Sequence, residues 1–337
     1  MLITPPSNYG ADTSGLICGF QFDKGGNGAS IDASQALQWL AAEESGTGFI
    51  WLHFNLAHSA TEKWLNDYVS LSKVFHESLK DGSRSTRVEM DDDTLVAVVN
   101  DVHYDFTFEP SDISTLWLSI SPRLVVSARL QPLRSIDRLR DAVKRGATLR
   151  SPVELLVHLM HDQGDVLVNI VRRTTARVDD IEDHLLSERL ERKRADLGSL
   201  RRLLVRLQRL LAPEPAALFR LLTKPPSWMV EDDLQDLRQS TEEFNVTLSD
   251  MAALQERIKL LQEEIAGRVA EANNRSLYVL TVVTVLALPI NIIAGLLGMN
   301  VGGVPLSDHR HGFWIVVAII VTFTFIAGWI ATKKQRD

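Results

Sequence analysis

The chain is expected to fold as an α+β protein, a mixed and largely antiparallel sheet covered by helices, followed by long helices and two C-terminal transmembrane helices. Three observations lead to this. The first 150 residues contain short runs rich in Val, Ile, Phe, Trp and Thr, bounded by Gly, Asp, Ser or Pro, which is the composition of strands. From Ser151 onward apolar residues recur at helical spacing and strand-like runs cease. Two long apolar stretches, Leu277–Leu297 and Phe313–Ala331, then close the chain.

Within residues 1–150 the strand-like runs are GLICGFQF, GFIWLHFNLAH, TLVAVVNDVHYDFTFE and LWLSISPRLVVSAR. Helical patterns interrupt them at about Asp32 to Glu43, from near Ser59 to about Lys80, and near Ile136 to Lys144. Ser59 is placed to cap the second helix, with Glu62 three residues on in the capping-box position. Strands mixed with helices point to a single α/β domain. His53 and His58, at the end of an apolar run, are read as structural, and Asp91, Asp92 and Asp93 as a turn between strands or a candidate acidic site.

Residues 151–276 form the long-helix region. Leu200, Leu203, Leu204, Leu207, Leu210 and Leu211 mark one helix, and Pro213, Pro215, Pro225 and Pro226 bracket a connector. The run from Arg189 to Arg209 is basic, but acidic residues are mixed into its start, so it is read as a solvated helix face. Phe244, Leu248, Met251, Ile258, Leu261 and Ile265 mark a later helix. No proline occurs between Pro226 and Pro289, so a helix beginning near Asp232 is expected to run into the first apolar stretch.

Leu277–Leu297 carries no charge and suffices as a helix to cross about 30 Å of hydrocarbon. Its composition is not that of a plain anchor. Leu277, Thr281, Thr284, Leu288, Asn291 and Gly295 fall at steps of three and four residues and share one face. A carboxamide in lipid is costly unless it faces protein or water, so the stripe points into a bundle or a pore; polar packing contacts within a helix pair are the alternative. Continued backwards, the same spacing meets Asn274, Gly267, Glu263 and Glu256, and copies arranged about an axis would make Glu263 and Glu256 an acidic, cation-concentrating mouth. Surface charge on an exposed helix is the alternative for both carboxylates.

The second stretch has Trp314 and Trp329 near its ends, as in an aromatic belt, and Lys333, Lys334 and Arg336 follow it in the tail, residues 332–337. Arg268 and Arg275 precede the first stretch, whereas the connecting loop, residues 298–312, has only Arg310 as a permanent cation. The positive-inside rule therefore puts both termini in the cytoplasm and the loop outside. Two helices cannot enclose a hydrophilic path, so transport would require a ring of chains. The net charge is −7, and neither soluble segment is basic enough for nucleic acid. One cysteine, Cys18, excludes an intramolecular disulfide and a multi-cysteine zinc site and fits a reducing cytoplasm. The N-terminus lacks the basic and apolar regions of a secretion signal.

Gly298-Met299-Asn300 closes the first span. Placed between two terminal spans and behind a long cytoplasmic region, it resembles the CorA superfamily of divalent-cation transporters. Trp51-Leu52-His53-Phe54-Asn55, Arg87-Val88-Glu89 to Thr94-Leu95, Arg123-Leu124-Val125-Val126-Ser127 and Ala287 to Gly295 are similar to recurring family segments, so the resemblance covers nearly the whole chain. Val301-Gly302-Gly303-Val304-Pro305, where magnesium-transporting members usually continue toward Met-Pro-Glu-Leu, resembles the ZntB zinc-transporter branch. The resemblance implies a homopentameric funnel in the bacterial inner membrane, with the first span lining the pore and the second outside it. It implies uptake of zinc coupled to protons, with magnesium or cobalt as the alternative cargo and cadmium and nickel as further candidates. The Asn300 copies would face the outer mouth, Asn291 and Thr284 would form polar rings below, and Leu288 and Leu277 would form apolar constrictions.

No thiolate or imidazole lies in the stripe, so the ion is expected to pass largely hydrated. Asp308, His309 and His311 in the loop are candidates for attracting zinc or exchanging protons. His158, His161, Asp162 and Asp165 fall at i, i+3, i+4 and i+7, a spacing that permits a metal site on one helix face and equally a solvated face. A phosphate loop, a nucleophile elbow and a His-Glu-x-x-His motif are absent, which argues against an enzyme and a bound cofactor. A cytoplasmic sensor anchored by the hairpin is the alternative of a different class.

Overall fold

The structure is a computed structural model that describes residues 10–42, 48–80, 86–103, 113–184, 190–299 and 310–334. It divides into two units, residues 1–262 and 263–337.

The first unit opens with β1 (Leu16–Phe22), β2 (Gly28–Ile31), α1 (Ala33–Ala41), β3 (Phe49–Asn55), α2 (Thr61–Tyr68) and α3 (Lys73–Lys80). It continues with β4 (Arg87–Asp91), β5 (Thr94–Val102), β6 (Ile113–Ile120), β7 (Leu124–Arg129) and α4 (Arg134–Lys144). The strands form one mixed sheet in the order β2-β1-β3-β7-β6-β5-β4. Neighbours are antiparallel except β3 and β7, which run parallel with Ile50 opposite Leu124 and Asn55 opposite Arg129. Every residue of β3 is buried. Ile50, Leu52 and Phe54 join Trp64, Leu65, Val69 and Phe75 of the α2–α3 segment on one face. The alternate positions share the other face, where Phe22 stacks on Phe49 and Phe20 on Trp51. A strand covered on both faces has no polar side to show, which is why FIWLHFN lacks alternation.

His53 is structural, as its sequence position implies. Arg129 Nε donates to His53 Nε2 at 3.0 Å, which leaves the proton on Nδ1 to donate to Ser127 Oγ at 2.8 Å. Trp51 Nε1 donates to the same hydroxyl at 2.7 Å. Arg129 also meets Asp137, 3.5 Å away, and Arg140 closes on that carboxylate at 3.3 Å. Asp91–Asp93 is the turn between β4 and β5, with Asp92 at φ 51°.

Several sequence expectations need correction. The helix expected from Ser59 to Lys80 is two helices, because Val69 is buried in an extended conformation between α2 and α3. Ser59 does not cap: the cap position is Ala60, without a side-chain bond, and Thr61 Oγ1 instead donates to the Asn55 carbonyl at 2.6 Å. The capping box belongs to Asp32 and Gln35 at the start of α1. LWLSISPRLVVSAR is two strands, since Pro122 lies in the turn between β6 and β7. β2 and β4, short edge strands, had no apolar run to reveal them.

Long helices complete this unit: α5 (Pro152–Asp183), α6 (Leu190–Leu211), α7 (Pro213–Thr223) and the start of α8 (Glu231–Leu297). The proline-bracketed connector is itself helix α7, because Pro213 and Pro215 fall in its first turns, where a missing N–H costs little. Leu197, Leu200, Leu203, Leu204 and Leu207 of α6 are buried, as are Phe244, Met251 and Ile258 of α8. α8 begins at Glu231, one residue from the expected start. The second unit holds the rest of α8 and α9 (Gly312–Lys334).

Candidate functional site

The apolar end of α8 presents two different sides. Tyr278, Val282, Leu286, Ile290, Ile293 and Leu297 are half-buried, at steps of three and four residues. Leu277, Thr281, Thr284, Leu288, Asn291 and Gly295 are all exposed within the single chain, as are Leu280, Val283, Val285, Ile292 and Leu296. α9 is likewise half-buried at Val316, Val317 and Ile320 and exposed elsewhere over much of its described length. Among the described residues α8 is the one helix long and apolar enough to cross a membrane, and the described apolar stretch of α9, Gly312–Ile326, is shorter.

The polar members of the stripe differ in how they are satisfied. Thr281 Oγ1 donates to the Leu277 carbonyl at 2.8 Å and Thr284 Oγ1 to the Leu280 carbonyl at 2.9 Å, so both hydroxyl protons are used within the helix. Asn291 has two donors and an acceptor that such back-bonding does not absorb. Its carboxamide has no hydrogen-bond partner among the described residues. Pro289 lies two residues before it and cannot donate to the Val285 carbonyl, which opens the backbone ladder beside the same segment.

Gly298 continues the helix for one residue, its N–H donating to the Ala294 carbonyl at 2.9 Å. Its φ is not in the left-handed range, so the glycine is not needed for a left-handed cap; a Cβ there would sit 3.0 Å from the Ala294 oxygen. Met299 is exposed. Asn300, Asp308 and His309 lie outside the described residues. His311 is exposed at the start of α9.

Of the two carboxylates in the backward extension, Glu256 pairs with Lys259 at 3.0 Å, whereas Glu263 is exposed and makes no ion pair among the described residues. His158, His161, Asp162 and Asp165 occupy α5, where His161 Nδ1 faces a Glu243 carboxylate oxygen at 3.8 Å. Burial raises the Asp162 carboxyl, against the pull of Arg138 and of His158 and His161. Among the described residues no three His, Cys, Asp or Glu side chains are grouped to hold a metal ion.

Five positions of the stripe and its backward extension belong to a longer seven-residue series. Val246, Ala253, Leu260, Gly267, Asn274, Thr281, Leu288 and Gly295 fall every seven residues along α8. Val246 and Leu260 are 61% and 57% exposed, unusual for aliphatic side chains in a long helix.

The family model for CorA-like Mg2+ transporter protein matches residues 46–333. The divalent cation transporter CmaX of Pseudomonas aeruginosa is 29% identical over 327 residues, 96% of this chain and 97% of that protein. The zinc transport protein ZntB of Yersinia pseudotuberculosis is 25% identical over 324 residues, 95% of this chain and 96% of that protein. Among solved structures, full-length CmaX superposes with a TM-score of 0.79 at 26% identity, covering 96% of this chain and 99% of that one. The CorA magnesium transporter of Methanocaldococcus jannaschii gives 0.76 at 20% identity over 93% and 96%, a likeness of fold.

Proposed function

We propose, because this chain belongs to the family of CorA-like Mg2+ transporter proteins, that it carries divalent metal cations across a bilayer, with zinc as the principal cargo. Its relatives are transporters and not enzymes, and ion movement requires no covalent step here. The observation that carries the reading is Asn291, an exposed carboxamide on an apolar helix with no hydrogen-bond partner among the described residues. A membrane tolerates such a group where it faces water or protein, and the stripe extends the polar face to Thr284 and Thr281.

In this reading a homopentamer supplies the ring that two helices cannot, with α8 inside and α9 outside. The seven-residue spacing along α8 supports it, since identical parallel helices pack through such a repeat. Residues 1–150 and 151–276 are its cytoplasmic parts, and the surplus of Lys and Arg on the side of both termini supports that orientation in a bacterial inner membrane.

Each group then has a distinct task. Asn300 oxygens meet the hydrated ion at the outer mouth, and Asn291 and Thr284 exchange hydrogen bonds with its water shell deeper in. Leu288 and Leu277 narrow the path with apolar side chains that admit ions only when wetted. Glu263, with Glu256 beyond it, raises the local cation concentration at the inner mouth.

Zinc is favoured by Gly302-Gly303 ahead of Pro305 and by the ZntB relative. Magnesium or cobalt is the second reading, favoured by the family's description and by the likeness to an archaeal CorA. Uptake into sealed liposomes, comparing zinc with magnesium in the presence and absence of an inward proton gradient, decides between them. The account expects zinc flux that grows with the gradient. Magnesium flux indifferent to protons would select the second reading, and absence of both fluxes would return the chain to an anchored sensor.

A further inference from the structure

Helix α6 carries an arginine stripe that no carboxylate among the described residues neutralises. Arg202, Arg206 and Arg209 are exposed on one side of the helix at i, i+4 and i+7, with Arg201 and the 45% exposed Val205 beside them. None of these arginines makes an ion pair among the described residues. Several other charges on the long helices are matched: Glu256 with Lys259, Glu264 with Arg268, Arg257 with Asp179 and Glu182. Like charges at helical spacing repel, so the stripe is a standing cost to α6 in a chain of net charge −7.

The opposite charge lies at the end of the neighbouring helix α5. Gln255 of α8 donates to Gln208, which sits between Arg206 and Arg209, while Arg257, two residues on, meets Asp179 of α5 at 2.7 Å. Asp180 and Ile181 of α5 line one cavity with Asp196, Ser199 and Leu200 of α6, so the two helices lie side by side and α8 reaches both. The last turn of α5 holds Asp179, Asp180, Glu182 and Asp183. Arg257 engages Asp179 and Glu182, and Lys193 reaches the nearby His184 carbonyl. Asp180, whose side chain is 76% exposed, faces only His184 at 3.4 Å, with Arg177 one turn back, and Asp183 is exposed without an ion pair among the described residues.

A ring closes head to tail when two different patches of one chain are complementary. We infer that in the assembled ring the arginine stripe of α6 from one copy docks on the acidic end of α5, at Asp180 and Asp183, of the next copy. The inference rests on the ring proposed above and names the surfaces that close it. Guanidinium groups suit this role, because their planar fork takes a carboxylate with two parallel bonds.

The test measures the mass of the purified full chain in mild detergent by native mass spectrometry, with circular dichroism melting as a check on folding. Arg202→Glu with Arg206→Glu, or Asp180→Arg with Asp183→Arg, is expected to shift most of the ring to smaller species, and all four together to restore it. Arg202→Gln with Arg206→Gln separates assembly from folding: relief of repulsion leaves α6 as stable or slightly more so, yet the ring weakens. Rings that survive each reversal, or a quadruple variant no better than either pair, would overturn the contact while leaving the pore intact. A wild-type chain that is monomeric would overturn the ring itself.

Discussion

Oε1 of Glu214 accepts the backbone N–H of Asn100 at 2.9 Å, and Oε2 of the same carboxyl accepts from Gln163 Nε2 at 2.9 Å. One fully buried side chain thus joins α7 to β5 and α5, at a point where β5 has run past the end of its partner β4. Two N–H donors favour the anion, but burial without a neutralising cation outweighs them, and the carboxyl is pushed up from 4.5 to about 8. The nearby Asp101 charge adds to the rise, and Asp101 is itself raised by burial to about 6.

A stability profile follows from these shifts. Between about pH 5 and 8 the folded chain holds a proton on Glu214 that the unfolded chain has released, so stability falls as pH rises through that window. The loss is on the order of a few kcal/mol. Thermal melting across the window should show it, and Glu214→Gln should flatten most of the slope. A slope unchanged by Glu214→Gln would mean that the proton is held elsewhere.

The Arg129–Asp137 pair, buried beneath His53, behaves differently from surface ion pairs. Arg129→Leu leaves Asp137 with Arg140 alone and removes the donor to His53, and should cost about 3–5 kcal/mol. Arg129→Leu with Asp137→Leu should cost less than the sum of the single changes, because no charge is then stranded. Denaturant unfolding of the four variants measures the coupling, and strict additivity would argue against it.

Helix capping separates two serviceable sequence motifs. Asp32→Ala should destabilise by about 1 kcal/mol, since it removes the carboxylate that accepts the Gln35 N–H, while Ser59→Ala should change little. Equal losses in melting experiments would contradict the assignment.

The comparison of Asp32 with Ser59 also shows what the sequence could reveal. Asp32 precedes a helix whose start no other contact competes for. Ser59 lies where Thr61 is drawn to the Asn55 carbonyl, a tertiary bond that local spacing does not encode. The buried runs of β3 and β5 were plain, because strands covered on both faces are mostly apolar. β2 and β4 sit at the sheet edges, are half-exposed and carry no such signal. In the candidate pathway, spacing alone isolated Thr281, Thr284 and Asn291, since a polar group is conspicuous in an apolar helix. Leu260 and Val246 were not, because a leucine or valine in a long amphipathic helix is expected to be core and only its exposure marks it out.

The inner mouth offers a contrast between two glutamates. Glu263→Gln should lower the initial uptake rate several-fold at low ionic strength and less at high salt, where screening already weakens cation attraction. Glu256→Gln should matter less, because Lys259 already offsets that carboxylate. Uptake measured at two salt concentrations distinguishes them, and equal, salt-independent effects would remove Glu263 from the mouth.

The central claim is that the exposed stripe of α8 faces the ion path, and thiol accessibility tests it most directly. The native Cys18 is a quiet background, its thiol pushed up to about 12 by burial. Single cysteines at Thr281, Thr284 and Asn291, and in comparison at Val282, Leu286 and Ile293 of the half-buried side, would be treated with a water-soluble thiol reagent in liposomes during zinc uptake. Block confined to the first three is the predicted result. Block at the second three, with the first three indifferent, would contradict it.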